Sequence, residues 1–308
     1  MDGALKMPRS AVLVMSYGTP RSLEGIEEYY TDIRRGSPPP PELLAELTER
    51  YRAIGHSPLL ELTEAQAKGI EDRLGVRAYV GYKHIAPFVA DAVGSMAADG
   101  VESAVGIVLA PHYSKMSVGD YERRAGRGAE EHGWGGTLSV IPNWHLEPSF
   151  IELLSARVDE ALASLKTVAR DEAVVVFSAH SLPERILAGG DPYPDQLRET
   201  AEAVAGRTSI SNWRVGWQSA GRTADPWIGP DILEIVSDLA AAGVKGVVIC
   251  PAGFVSDHLE VLYDVDFEAK GAAEERGIEL VRTRSPNADP AFLDVLAGVV
   301  SRALTASE

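Results

Sequence analysis

One cysteine, Cys250, is all that 308 residues contain. That scarcity excludes an internal disulfide and any four-cysteine zinc or iron–sulfur site within one chain, and a lone thiol fits a reducing compartment. Positive charge is also scarce: 29 Lys and Arg stand against 45 Asp and Glu, a formal net charge of -16. The overall field therefore repels phosphate backbones and anionic lipid surfaces, which argues against nucleic-acid or membrane partners. No window reaches the ~18–20 continuous apolar residues of a membrane span. The segment Met1 to Ser10 lacks the apolar stretch of a signal peptide. A cytoplasmic location is the expectation.

Several catalytic signatures are missing too. Neither a Walker A loop nor a Gly-x-Gly-x-x-Gly fingerprint follows the first strand-like run, where the chain reads Tyr17-Gly18-Thr19-Pro20, so nucleotide binding loses its best evidence. There is no His-Glu-x-x-His helix for a zinc peptidase. Ser178 and Ser181 flank His180, but without the Gly-x-Ser-x-Gly elbow of a serine hydrolase.

What is present is an ordinary globular composition, 45% apolar and 24% charged, in a length that suits two domains of roughly 100–200 residues. Short Val- and Ile-rich runs alternate with helical periodicity, the rhythm of βαβ units. Strands are expected at Ala11–Met15, Arg77–Val80, Gly106–Ala110, Thr137–Ile141, Val174–Phe177, Trp213–Trp217, Val247–Cys250 and Glu279–Val281. Helices are expected at Ala65–Leu74, Phe88–Ala98, Tyr121–Glu131, Phe150–Leu165, Gln196–Ala205 and Ile232–Ala241. The fold class is thus α/β, in two four-stranded halves: residues 1–143, 144–285, and a terminal segment 286–308. Gly36 to Pro41, with four consecutive prolines, reads as a stiff loop, because successive prolines lack donors and restrict their predecessors.

In open parallel sheets, ligands bind beyond the carboxyl ends of the strands. There the chain places Ser16-Tyr17-Gly18, Pro111-His112-Tyr113-Ser114, Ser178-Ala179-His180-Ser181 and Asp257-His258-Leu259-Glu260. His180, just past a strand, suits a proton acceptor or metal ligand, or a histidine that ties down its own loop. Glu260, Asp264 and Glu268 recur every four residues, so a helix puts them on nearly one face. They form either an exposed acidic stripe or a carboxylate line entering a cavity, where a cation or protons would travel. Arg34, Arg35, Arg50 and Tyr51 put basic and aromatic character into an acidic chain, for carboxylate recognition or as plain surface.

Together these segments resemble the ferrochelatases, most closely the soluble coproporphyrin ferrochelatases of bacteria. The likeness runs through Met15-Ser16-Tyr17-Gly18-Thr19-Pro20, Ile33-Arg34-Arg35-Gly36, Ser57-Pro58-Leu59, Lys83-His84-Ile85-Ala86-Pro87-Phe88, Ser178-Ala179-His180-Ser181-Leu182-Pro183-Glu184, Gly216-Trp217-Gln218-Ser219, Asp225-Pro226-Trp227 and Gly253-Phe254-Val255-Ser256-Asp257-His258-Leu259-Glu260. The resemblance implies two Rossmann-like domains enclosing a porphyrin cleft, with the last helix, about Pro290–Leu304, packed back on the first. It implies insertion of Fe(II) into coproporphyrin III with release of two pyrrole protons. The alternatives are protoporphyrin IX as substrate, a cobalt or nickel chelatase, or a non-catalytic tetrapyrrole carrier.

By the same likeness, His180 and Glu260 bind metal and abstract protons at one porphyrin face, their separate roles left open. Tyr17 would be the axial ligand of product iron on the other face. Arg34, Arg50, Tyr51, Ser57 and Tyr121 would contact porphyrin, while Asp264 and Glu268 would form an outer metal site. Gly55-His56-Ser57 is one residue shorter than the family's common form. No cofactor beyond substrate iron is implied, and no iron–sulfur cluster. The expected state is a monomer with transient contact to coproheme decarboxylase.

Overall fold

The computed structural model describes residues 9–306. The first sheet is built from β1 (Ser10–Ser16), β2 (Ala78–Tyr82), β3 (Ser103–Val108) and β4 (Thr137–Val140), in the order β2-β1-β3-β4. The second is built from β5 (Val174–His180), β6 (Trp213–Gln218), β7 (Gly246–Cys250) and β8 (Glu279–Arg282), in the order β6-β5-β7-β8. Every pairing is parallel. All eight expected strands are present, though β3 starts three residues early and His180 closes β5 instead of following it. The reason they were legible is burial: helices cover both faces of a parallel sheet, so strands such as Ala11–Met15, all fully buried, read as unbroken apolar runs.

The helices are α1 (Ile26–Ile33), α2 (Pro41–Ile54), α3 (Leu59–Leu74), α4 (Val89–Ala98), α5 (Val118–Glu131), α6 (Pro148–Ser164), α7 (Arg185–Ala188), α8 (Tyr193–Thr208), α9 (Ile232–Ala241), α10 (Lys270–Glu275) and α11 (Pro290–Ala306). The proline stretch stays non-helical until Pro41, which opens α2; its missing N–H is no loss in a first turn. One expectation changes. The acidic segment is not an ordinary α-helix: Glu260–Ala269 winds as a π-helix before α10 continues it. Spacing by four is shared by both windings, so the sequence pattern does not separate them.

A single apolar cluster joins the two halves. Val12 and Ile107 of the first sheet, Phe177 and Val248 of the second, Phe150 of α6 and Phe292 of α11 all belong to it. The last helix packs on α3 so closely that a Cβ on Gly69 would lie 2.7 Å from Leu293, and Asp294 accepts from Arg73 at 2.6 Å.

Each sheet has one place where consecutive connections leave in opposite directions: between β1 and β3, and between β5 and β7. Crevices open at such switch points, beyond the strand carboxyl ends. Tyr17 follows β1, His112 follows β3, His180 ends β5, and the loop carrying His258 and Glu260 follows β7.

Candidate active site

Both switch points open into one cleft of about 300 Å³, lined from the first half by Tyr17, Tyr51 and Tyr121 and from the second by His180, His258 and Glu260. The shape of the loops depends on two glycines. Gly18 adopts φ +87°, a left-handed conformation that side chains disfavour, and turns the chain directly after Tyr17. Gly253 lies so near β5 that a Cβ there would sit 2.5 Å from that of Ala179.

Glu260 stands between two imidazoles. His180 Nε2 is 3.4 Å from Oε1 and His258 Nε2 is 3.6 Å from Oε2. The other nitrogen of each ring faces a backbone carbonyl, His180 Nδ1 that of Ser181 and His258 Nδ1 that of Ser256. A carbonyl only accepts, so each Nδ1 carries a proton and each Nε2 is left to share a proton or a cation with the carboxylate. Burial would lower the His180 pKa, but the charge and hydrogen bond of Glu260 outweigh it and raise it to about 9. For Glu260, burial alone would push the carboxyl up, yet His180 and His258 hold it well below the usual range. The resting pair is therefore imidazolium and carboxylate.

The pair is held from behind. Ser178 of β5 donates to the Gln218 side-chain oxygen at 2.9 Å, and the Gln218 amide donates to the Glu260 carbonyl at 3.0 Å. Tyr193 donates its hydroxyl to the His180 carbonyl at 3.0 Å. The ends of β5 and β6 and the start of the π-helix are thus tied into one unit.

Along the π-helix, Asp264 comes next. Burial, then the charge of Glu260, raises its pKa to about 7 against the opposing pull of Ser219 and Arg50. Arg50 spans the line: it approaches Asp264 at 3.3 Å, Glu268 at 3.6 Å and Glu46 at 3.3 Å, and lies over the Tyr263 ring at 4.9 Å. The three carboxylates are neither a solvated stripe nor an open row: Asp264 is buried between Glu260, which lines the cleft, and the more exposed Glu268, and one guanidinium bridges Asp264 and Glu268.

On the facing side, Tyr17 presents 40% of its surface, and enclosure by the cleft followed by Glu260's charge raises its phenol pKa. Its ring packs against His84 at 4.5 Å, and Lys83 reaches over the rings of Tyr17 and Tyr121 at 5.9 and 5.2 Å. Tyr51 shares a hydrogen bond of 3.0 Å with Thr19. The cleft is therefore an aromatic slot with a proton-bearing pair at one side and a phenol at the other, shaped for a flat apolar ring with polar edges.

Of the residues singled out in the sequence, Tyr17, Tyr51, Tyr121, His180 and Glu260 line this cleft. Arg34, Arg50, Ser57, Asp264 and Glu268 do not. Arg34 donates to the Ser37 carbonyl at 3.3 Å near Tyr30. Ser57 is buried with no partner for its hydroxyl among the described residues, an unmet group beside the cleft-lining Leu59. Sequence reasoning passed over His258, Lys83, Tyr193 and Trp227, all of which line the cleft. The available signals were the position of His258 two residues before Glu260 and the place of Lys83 and Trp227 in segments that carry the resemblance.

Residues 9–304 match the family model described as ferrochelatase. The chain belongs to the ferrochelatase family. A coproporphyrin III ferrochelatase of Bacillus subtilis is 48% identical over 305 residues, covering 96% of this chain and 98% of its own. Those of Halalkalibacterium halodurans and Bacillus mycoides are 47% and 50% identical, covering 96% and 94% of this chain and 98% and 96% of theirs. Among solved structures, the sirohydrochlorin chelatase SirB from Bacillus subtilis subspecies spizizenii, in complex with cobalt, superposes with a TM-score of 0.62 at 10% identity, over 96% of this chain and 94% of that one. At that identity the likeness concerns the fold alone, two Rossmann-like halves facing across a cleft.

Proposed function

We propose that this ferrochelatase-family chain inserts Fe(II) into coproporphyrin III, with His180 and Glu260 acting at one face of the macrocycle and Tyr17 at the other. The observation that carries the reading is the imidazolium–carboxylate pair of His180 and Glu260, facing Tyr17 within one aromatic slot. Insertion replaces two pyrrole protons by one dication. Glu260 is the base that stands charged and ready, while His180 already holds a proton and must pass it outward before accepting another. Asp264 and Glu268 extend from Glu260 toward solvent, a path for protons or an outer metal site. Tyr51 and Tyr121 hold the ring; Arg34, Arg50 and Ser57 approach its carboxylate edge, Arg50 after releasing its own acidic partners.

Four propionates suit an open-mouthed cleft better than two. Steady-state insertion rates under anaerobic conditions, followed by absorption with coproporphyrin III and protoporphyrin IX, test the substrate. A marked preference for coproporphyrin is expected, and preference for protoporphyrin overturns it. Binding of either porphyrin without metallation would instead make the protein a carrier. No helix among the described residues is long and apolar enough to cross a membrane, and Cys250 alone cannot hold an iron–sulfur cluster. We further propose a cytoplasmic monomer that uses no cofactor beyond substrate iron and meets coproheme decarboxylase only transiently.

A further inference from the structure

Away from Glu260, on the wall where β3 and the β4–α6 connection meet α8, two more histidines are buried together. His112 is 1% exposed and His145 5%; their rings are 5.6 Å apart and tilted by 39°. The hydrogen bonds around them settle where their protons are. His145 Nε2 lies 2.8 Å from a Glu199 carboxylate oxygen, which only accepts, so His145 donates there. His112 Nε2 lies 2.9 Å from Thr200 Oγ1. The single hydroxyl hydrogen of Thr200 goes to a carbonyl, that of Gln196 at 3.1 Å or of His145 at 3.4 Å. Thr200 therefore accepts from His112, whose Nε2 is the donor.

Both Nδ1 atoms are left as bare lone pairs, and both are buried without a partner among the described residues. Burial, then the neighbouring His145, lowers the His112 pKa to about 3, so protonation does not relieve the His112 lone pair at neutral pH. Two adjacent unmet acceptors are costly to bury. Each ring has its distal N–H pinned by a fixed acceptor, one of them a carboxylate. That outer arrangement fixes the tautomer and raises the basicity of histidines that bind metal. A ring separation of 5.6 Å is close to what two imidazoles adopt around one ion with metal–nitrogen bonds of about 2.0–2.1 Å.

We propose that His112 and His145 bind, through their Nδ1 atoms, one divalent transition-metal ion of the iron-to-zinc series at a site separate from the His180–Glu260 pair. Imidazole nitrogen suits these ions. Among the described residues no group of three or more His, Cys, Asp or Glu is gathered to hold an ion, so water completes the coordination and the affinity is that of a holding site, not a structural one. Access is from the cleft, which His112 lines. If the cleft metallates porphyrin, the ion held here is beside the place of use, and to that extent the idea rests on the proposed function.

Co(II) alone, added anaerobically without porphyrin, is the probe, read by its visible absorption and by equilibrium dialysis with metal analysis. His180→Ala, carried together with His258→Ala in every protein tested, serves as the background, so that neither imidazole beside Glu260 contributes. In that background a nitrogen-ligated Co(II) spectrum is expected; adding His145→Phe should abolish it. Adding Glu199→Gln, a change at a half-exposed side chain that leaves both ligands in place, should weaken binding roughly 10–100-fold. Absence of the spectrum in the background protein, equal binding in all three proteins, or a crystal soaked in Co(II) that shows a water bridging the two Nδ1 atoms would overturn the proposal. Metallation of porphyrin is not measured, so this site and the proposed activity can fail separately.

Discussion

A carboxylate set between two imidazoles whose Nδ1 protons are fixed has little freedom in placing the remaining proton. With His180 raised to about 9 by Glu260, the proton is on the imidazole at neutral pH, and each residue depends on the other for its charge. Replacing His180 by Ala removes both a proton carrier and the main group that keeps Glu260 ionised. Insertion should fall by roughly 10²–10⁴-fold, the usual worth of a positioned acid–base group, while porphyrin binding, which rests on the aromatic slot, stays measurable by fluorescence quenching. Near-normal turnover would remove His180 from its assigned role. His180 was visible in the sequence because it stands at the end of an apolar strand, and Glu260 because it opens a line of carboxylates spaced by four. His258 was not, since a histidine's importance here depends on which nitrogen its own backbone occupies. Arg50 showed as a basic residue, but its engagement by Glu46, Asp264 and Glu268 joins segments more than 200 residues apart.

Strands and helices set the precision of that pair. The loop after β7 turns back onto β5, with the Gly253 N–H donating to the Ser178 carbonyl at 3.0 Å and no room for a side chain against Ala179. Gly253→Ala should displace the loop carrying His258 and Glu260, costing about 1–3 kcal/mol by overpacking and lowering kcat along with Tm. Gly271→Ala is the control: it meets nothing within 4 Å in α10 and should gain about 0.5–1 kcal/mol. If both variants behave alike in thermal unfolding and turnover, the close approach at Gly253 has no consequence. Helix α8 acts at the same scale. Its Tyr193, Gln196 and Thr200 reach His180, Tyr113 and His112 respectively, so one helix of the second half braces loops of both. Periodicity revealed α8 as a helix, yet not which loops it would meet, because the partners are fixed only when the two sheets dock.

At the scale of the whole molecule, the feature that composition alone concealed is how many phenols are shut away. Ten tyrosines occur. Tyr29, Tyr51, Tyr79, Tyr82, Tyr121 and Tyr193 are all buried, and burial is the main cause that raises each above the ordinary phenol value, Tyr79 and Tyr82 to about 12. In the unfolded chain all six would titrate near pH 10. Their folded-state pKa values are the higher ones, so their contribution to stability is complete below pH 10 and is lost as pH rises toward the folded values. Each costs at most about 1.4 kcal/mol per pH unit in that window, together roughly 8 kcal/mol per unit. Net stability of a folded protein is only about 5–15 kcal/mol, so it is exhausted within one to two units. The protein should therefore unfold cooperatively above pH 10, before its buried phenols ionise in place. Following tyrosinate absorbance and far-ultraviolet circular dichroism along one alkaline titration tests this. The part of the tyrosinate signal that belongs to the six buried phenols should appear together with the loss of dichroism; ionisation of more than the four remaining tyrosines with an unchanged dichroism spectrum would mean that buried phenols are open to hydroxide, and that the packing around them is far looser than the structure indicates.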